Sequence, residues 1–154
     1  MRFSYLVTPQ SIILDVRAGT KPELLAELAG RAAFLTHLDR LDLFRALLDR
    51  EAVTSSGLGL GVAMPHARFK ELTAPVALFV RLGRQIDYHA LDMRPVDIVF
   101  LLLGPDPATS GYLTLLLCTS RALRDPTARE AIRTNFDVQT IVAALEGGLV
   151  PAAT

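Results

Sequence analysis

The chain has 154 residues, 51% hydrophobic and 21% charged, with sixteen acidic side chains balancing sixteen basic ones. These proportions exclude disordered, collagenous and coiled-coil chains, and a net charge of zero argues against the clustered positive charge that nucleic acids or a polybasic membrane anchor require. One domain spanning 1–154 is expected, large enough to fold without disulfide or metal. The lone Cys118 lies in an apolar stretch, as in a reducing compartment. Thr8-Pro9-Gln10 and Asp15 interrupt any signal-peptide core, and no apolar run is long enough to span a bilayer. The expectation is a cytoplasmic protein with no membrane insertion and no nucleic-acid partner.

Along the chain, Ser11 to Arg17 reads as a strand. Thr20-Lys21-Pro22-Glu23 then supplies an N-cap, a proline near the first helical position and a capping-box glutamate. Leu24, Leu25, Leu28, Ala32 and Leu35 follow the helical period. A second helix, capped by Asp39, repeats it with Leu41, Phe44, Leu47 and Leu48 up to Arg50. The glycine-rich loop 54–61 leads through Val62-Ala63-Met64 to Pro65-His66. Val76 to Leu82 and Val96 to Leu103 read as strands, the second apolar at almost every position, as a strand covered on both faces would be. Three helices complete the chain: about Ser110 to Arg124, one opening at Asp125-Pro126, and one from Asp137 stopping at Gly147-Gly148. The leucines of Leu113 to Leu123 read as core. The alternation predicts a layered α/β domain.

Chemistry narrows quickly. His37, His66 and His89 stand far apart and Cys118 is alone, so no metal site is expected. Gly57-x-Gly59-x-Gly61 is neither a dinucleotide fingerprint nor a Walker loop, and no Gly-x-Ser-x-Gly elbow is present. What remains is Arg50 to His66: a fixed cation, the Ser55 and Ser56 hydroxyls, backbone N–H groups around Gly57 and Gly59, and an imidazole held behind a proline. Those are parts for an oxyanion such as phosphate. The same residues also fit a packed or surface histidine after turn glycines.

The run Arg50-Glu51, then Ser55-Ser56-Gly57-Leu58-Gly59-x-Gly61-Val62-Ala63-Met64-Pro65-His66, resembles the active-site signature of the fructose/mannitol and nitrogen-regulatory enzyme IIA domains of the bacterial phosphotransferase system. Ile86 to Asp92 and Pro95 to Leu102 are similar to a second block of that family, and the resemblance runs from about Ser11 to Gly147. It implies a mixed β-sheet flanked by helices and a phosphoryl group accepted on His66 from a histidine phosphocarrier protein, with Arg50 beside the site. It also implies an IIB protein, a transporter or a kinase as the onward partner, and no metal or nucleotide cofactor. With no IIB or membrane IIC region attached, a regulatory role of the nitrogen-related kind is favoured over sugar uptake. One departure stands out: the family's second histidine falls on Tyr112, which can donate a hydrogen bond but cannot become a cation near neutral pH. Leu60 also stands where nitrogen-regulatory relatives often carry a small polar residue. The departure at 112 motivates a rival, an IIA-like interaction module with weak or no transfer that binds a transporter or kinase; a third reading is a passive anion-binding domain that uses the glycine loop without covalent chemistry. The oligomeric state is left open.

Overall fold

A computed structural model describes residues 9–149, with side chains from 10 to 146. The segment read against a leader sequence, 1–8, and the last five residues lie outside the described residues. After a short 3-10 turn the order is β1 (Ile12–Val16), α1 (Lys21–Thr36), α2 (Arg40–Val53), β2 (Gly57–Gly59), β3 (Val62–Ala63), β4 (His66–Phe69), β5 (Val76–Ile86), β6 (Val96–Pro105), α3 (Ser110–Arg124), α4 (Pro126–Thr134) and α5 (Val138–Leu149).

The helices begin where local capping predicts. Thr20, Asp39, Thr109 and Asp125 each accept a backbone N–H of the first turn through their side chains. Two ends differ from the sequence reading. α2 runs three residues past Arg50, to Val53, and α5 continues through Gly147 and Gly148 to Leu149.

The six strands form one mixed sheet in the order β1-β5-β6-β3-β2, with β4 also pairing with β6. β1 and β5 are parallel and β5 and β6 antiparallel, while β3 and β4 both run parallel to β6. Their register on β6 is unbroken, from Val62 opposite Ile98 to His66 opposite Leu102, so β3 and β4 form one line interrupted only at Met64-Pro65. Proline has no N–H for the ladder, which accounts for the interruption.

The apolar run of β6 is explained by period-two alternation between two cores. Leu78 and Val80 of β5 and Val99, Leu101 and Leu103 of β6 pack with Leu24, Leu28, Leu43 and Leu47 of α1 and α2. Ala77, Phe79, Ile98, Phe100 and Leu102 pack instead with Tyr112, Leu115, Ile132, Ile141 and Leu145 of α3, α4 and α5. The result is a sheet between two helical layers, as predicted. Two leucines read as core are not: Leu113 and Leu117 are 54% and 61% exposed. They lie one turn apart on the face of α3 turned away from the sheet, where hydrophobicity alone does not decide burial. Cys118, beside them, is half-buried.

Candidate active site

His66 is the first residue of β4, not the end of a loop. Its place on β6, opposite Leu102, is set by the ladder that carries β3. Its ring Nδ1 lies 2.9 Å from the Met64 carbonyl oxygen. A carbonyl only accepts, so Nδ1 is the protonated nitrogen of the neutral ring and Nε2 keeps its lone pair. Burial lowers the His66 pKa; the bond to Met64 works against that, and the nearby Arg50 charge adds to the lowering.

An open depression of about 410 Å³ is lined by His66, Arg50, Arg68, Asp106, Tyr112 and Leu116, with Ala46 and Ala67. Arg50 comes from the last turn of α2, and its guanidinium makes a long bond of 3.4 Å to the Thr54 carbonyl. Arg68 follows His66 by two positions on β4, and residues i and i+2 of a strand share a face. Asp106 follows β6 directly, and Tyr112 stands in the first turn of α3, whose N-terminus carries partial positive charge. The depression therefore gathers two guanidinium groups and one carboxylate around an imidazole.

Tyr112 is 1% exposed and its hydroxyl has no hydrogen-bond partner among the described residues. Burial pushes its pKa up, opposed by the charges of Arg68 and then Arg50. Buried hydroxyls are normally paired, so Tyr112 keeps an unused donor in the wall of the depression, within the influence of two cations.

The structure therefore brings together His66, Arg50 and Tyr112 of the residues singled out from sequence. The remaining four lie elsewhere. Ser56 is buried, its hydroxyl bonded to Glu51 and 3.0 Å from the Tyr88 hydroxyl. Ser55 Oγ accepts the Gly57 N–H at 3.1 Å. Gly57 and Gly59 belong to the short antiparallel pair β2–β3, whose turn takes positive φ at Gly59, Leu60 and Gly61. That turn is pinned from both sides. Asp92 accepts the Leu60 N–H at 2.9 Å, and Arg133, paired with Asp97, donates to the Leu60 carbonyl at 2.8 Å. The glycine segment thus shapes a hairpin, and Leu60 is displayed at its tip, 43% exposed.

Arg68 and Asp106 were not found from sequence. A strand beginning at His66 would have placed Arg68 by its two-residue spacing. Asp106 carries no local signal, because only the β4–β6 pairing brings the end of β6 next to His66. His37 and His89 lie outside the depression, each with left-handed backbone, His37 as the C-cap of α1 and His89 in the exposed loop after β5. No described helix is long and apolar enough to cross a membrane.

Known proteins resemble this chain over most of its length. The family model for the phosphoenolpyruvate-dependent sugar phosphotransferase system, EIIA 2, matches residues 5–147. A nitrogen regulatory protein of Bradyrhizobium diazoefficiens is 38% identical over 154 residues, which cover all of this chain and 99% of that protein. A fructose-specific EIIA component of Haloferax volcanii is 32% identical over 88% of this chain and 89% of its own. The crystal structure of nitrogen regulatory protein IIA-Ntr from Neisseria meningitidis superposes with a TM-score of 0.88 at 30% identity, over 92% of this chain and 97% of that one. The mannitol enzyme IIA of Escherichia coli, in its complex with phosphorylated enzyme IIB, shares the fold at 18% identity and a TM-score of 0.77, over 92% of this chain and 97% of its own. The chain belongs to the phosphotransferase-system EIIA 2 family, whose members take part in phosphoryl transfer.

Proposed function

We propose that the chain is a phosphocarrier that accepts a phosphoryl group on His66 Nε2 from a phosphohistidine of a histidine phosphocarrier protein, and that it acts as a nitrogen-type regulator. The observation that carries this reading is the meeting in one depression of His66, its Nδ1 tied to Met64, with Arg50, Arg68 and an unpaired Tyr112 hydroxyl. In the transfer, the Nε2 lone pair forms the new N–P bond as the donor's N–P bond breaks, and that electron pair returns to the donor's ring. The His66 ring gains positive charge in the process. Its Nδ1–H stays on the ring, and the bond to the Met64 carbonyl strengthens as the charge develops. Phosphoryl transfer needs in-line placement and charge on the equatorial oxygens met by fixed donors, the roles assigned to Arg50, Arg68 and Tyr112. Ser55, Ser56, Gly57 and Gly59 support the site by building the hairpin that ends at Met64.

The regulatory assignment rests on the relatives named as nitrogen regulatory proteins, and transfer onward to an IIB protein rests on the mannitol complex. A second reading, an interaction module without efficient transfer, is favoured by the exposed Leu113 and Leu117 on α3, the helix that supplies Tyr112 and Leu116 to the depression, and by the absence of a cation at Tyr112. Incubation with phosphoenolpyruvate, enzyme I and the phosphocarrier protein separates the two. The phosphocarrier reading expects an acid-labile mass gain that tandem mass spectrometry assigns to His66 and that His66→Ala abolishes. Phosphate on His37 or His89 would overturn the site. An inert, folded chain would leave the interaction module.

A further inference from the structure

Lys21 and Glu51 form an ion pair at 2.7 Å whose side chains are only 12% and 5% exposed, and neither lines the depression. Glu51 also receives the Tyr88 hydroxyl at 2.8 Å, the Ser56 N–H at 3.0 Å and the Ser56 hydroxyl. Lys21 lies 4.3 Å from the centre of the Tyr88 ring. A buried ion pair adds little net stability relative to well-packed apolar groups, so its use here calls for another role.

The hydrogen bonds lead from this cluster to the histidine. The Ser56 carbonyl accepts the Met64 N–H at 3.0 Å, and the Met64 carbonyl accepts the His66 Nδ1–H at 2.9 Å. Met64 and Pro65 form the gap between β3 and β4, so the bond to Ser56 replaces a ladder bond at the residue that orients the imidazole. We infer that the buried Lys21–Glu51–Tyr88 cluster is a positioning device that clamps Ser56, and through it Met64, so that His66 keeps its proton on Nδ1 and presents Nε2. Glu51 and Tyr88 are positioning residues, acting through two backbone groups. The consequence for transfer rests on the phosphocarrier reading; the control of the tautomer does not.

The test is the ¹⁵N long-range imidazole spectrum of the full chain at about pH 8, above the imidazole titration. In the wild type the Nδ1–H form of His66 dominates. Glu51→Gln and Tyr88→Phe each lower the ratio of Nδ1–H to Nε2–H by about threefold to tenfold, the weight of one hydrogen bond. Glu27→Gln, which breaks an exposed pair with Arg31, leaves it unchanged. In phosphorylation assays both cluster variants lower kcat by a similar factor, with KM for the phosphocarrier protein unchanged. A native amide spectrum with an unshifted ratio in Glu51→Gln overturns the inference, and if that variant does not fold, the ratio in Tyr88→Phe decides. A wild type that takes no phosphate defeats the phosphocarrier reading while the ratios still decide this one.

Discussion

The Tyr112 ring lies against the bare backbone of Gly104: a methyl group built on Gly104 would stand 2.1 Å from Cδ2 and 2.4 Å from Cε2 of the tyrosine. The end of β6 and the first turn of α3 are fitted to each other there, and the fit holds the phenol in the wall of the depression. Gly104→Ala should force the ring out of place. Overpacking of this kind costs about 1–3 kcal/mol, and the displaced hydroxyl should slow phosphorylation as well. Denaturant unfolding and a transfer assay on the same variant check both effects; a variant as stable and as fast as wild type would show that the ring moves freely.

Tyr112→Phe separates stability from function. The hydroxyl has no partner among the described residues, so its removal should leave stability unchanged or raise it by up to about 1 kcal/mol. As a donor to a charged phosphoryl group, the same hydroxyl should be worth about tenfold or more in transfer rate. Tyr112→His should speed transfer by restoring a group that can carry charge. A Phe variant that is markedly less stable, or as fast as wild type, would contradict this role.

Among the described residues Arg50 makes only the long bond to Thr54, so its removal should hardly affect folding. If its guanidinium meets the phosphoryl oxygens, Arg50→Ala should slow transfer about a hundredfold, the effect of losing one preorganised donor. Single-turnover phosphorylation beside a thermal melt tests the split.

The His66 pKa lies below its ordinary value through burial first and the Arg50 and Arg68 charges after it. The ring is therefore neutral, and able to accept phosphate, to lower pH than a free histidine. The same shift has a consequence for stability. The unfolded chain binds this proton at about pH 6.5 and the folded chain does not until lower pH, so stability falls from about pH 6.5 down to the folded pKa and then levels. An NMR titration should place His66 below 6.5, and Arg50→Ala or Arg68→Ala should move it upward. A His66 titrating above 6.5 would refute the assignment.

Glu51 shows the opposite case. Burial pushes its carboxyl up, but the bonds from Lys21, Ser56 and Tyr88 together outweigh it and hold the pKa below the usual value. Its contribution is fully present above about pH 4.3 and is lost as pH falls through the lower folded pKa. The stability gap between wild type and Glu51→Gln should therefore shrink in acid. A gap that stays constant down to about pH 2 would mean that the carboxylate's charge is not what stabilises the cluster.

The sequence by itself determined the helix starts, since a cap and its N–H lie within three residues of each other: Thr20 with Glu23, Asp39 with Asp42 and Thr109 with Tyr112. It also determined β6, apolar at almost every position and so stable only between two covered faces, and it singled out His66, Arg50 and Tyr112, which the depression unites. Tertiary structure decided the rest, because those outcomes depend on partners distant in the chain. Pairing with β6 made His66 the start of a strand and so brought in Arg68 and Asp106. Glu51 and Tyr88, five and 32 residues from Ser56, turned its hydroxyl into the buried cluster and away from the phosphate site. Which leucines of α3 met solvent was likewise decided by which face the sheet covered, a choice the helical period allows but does not make.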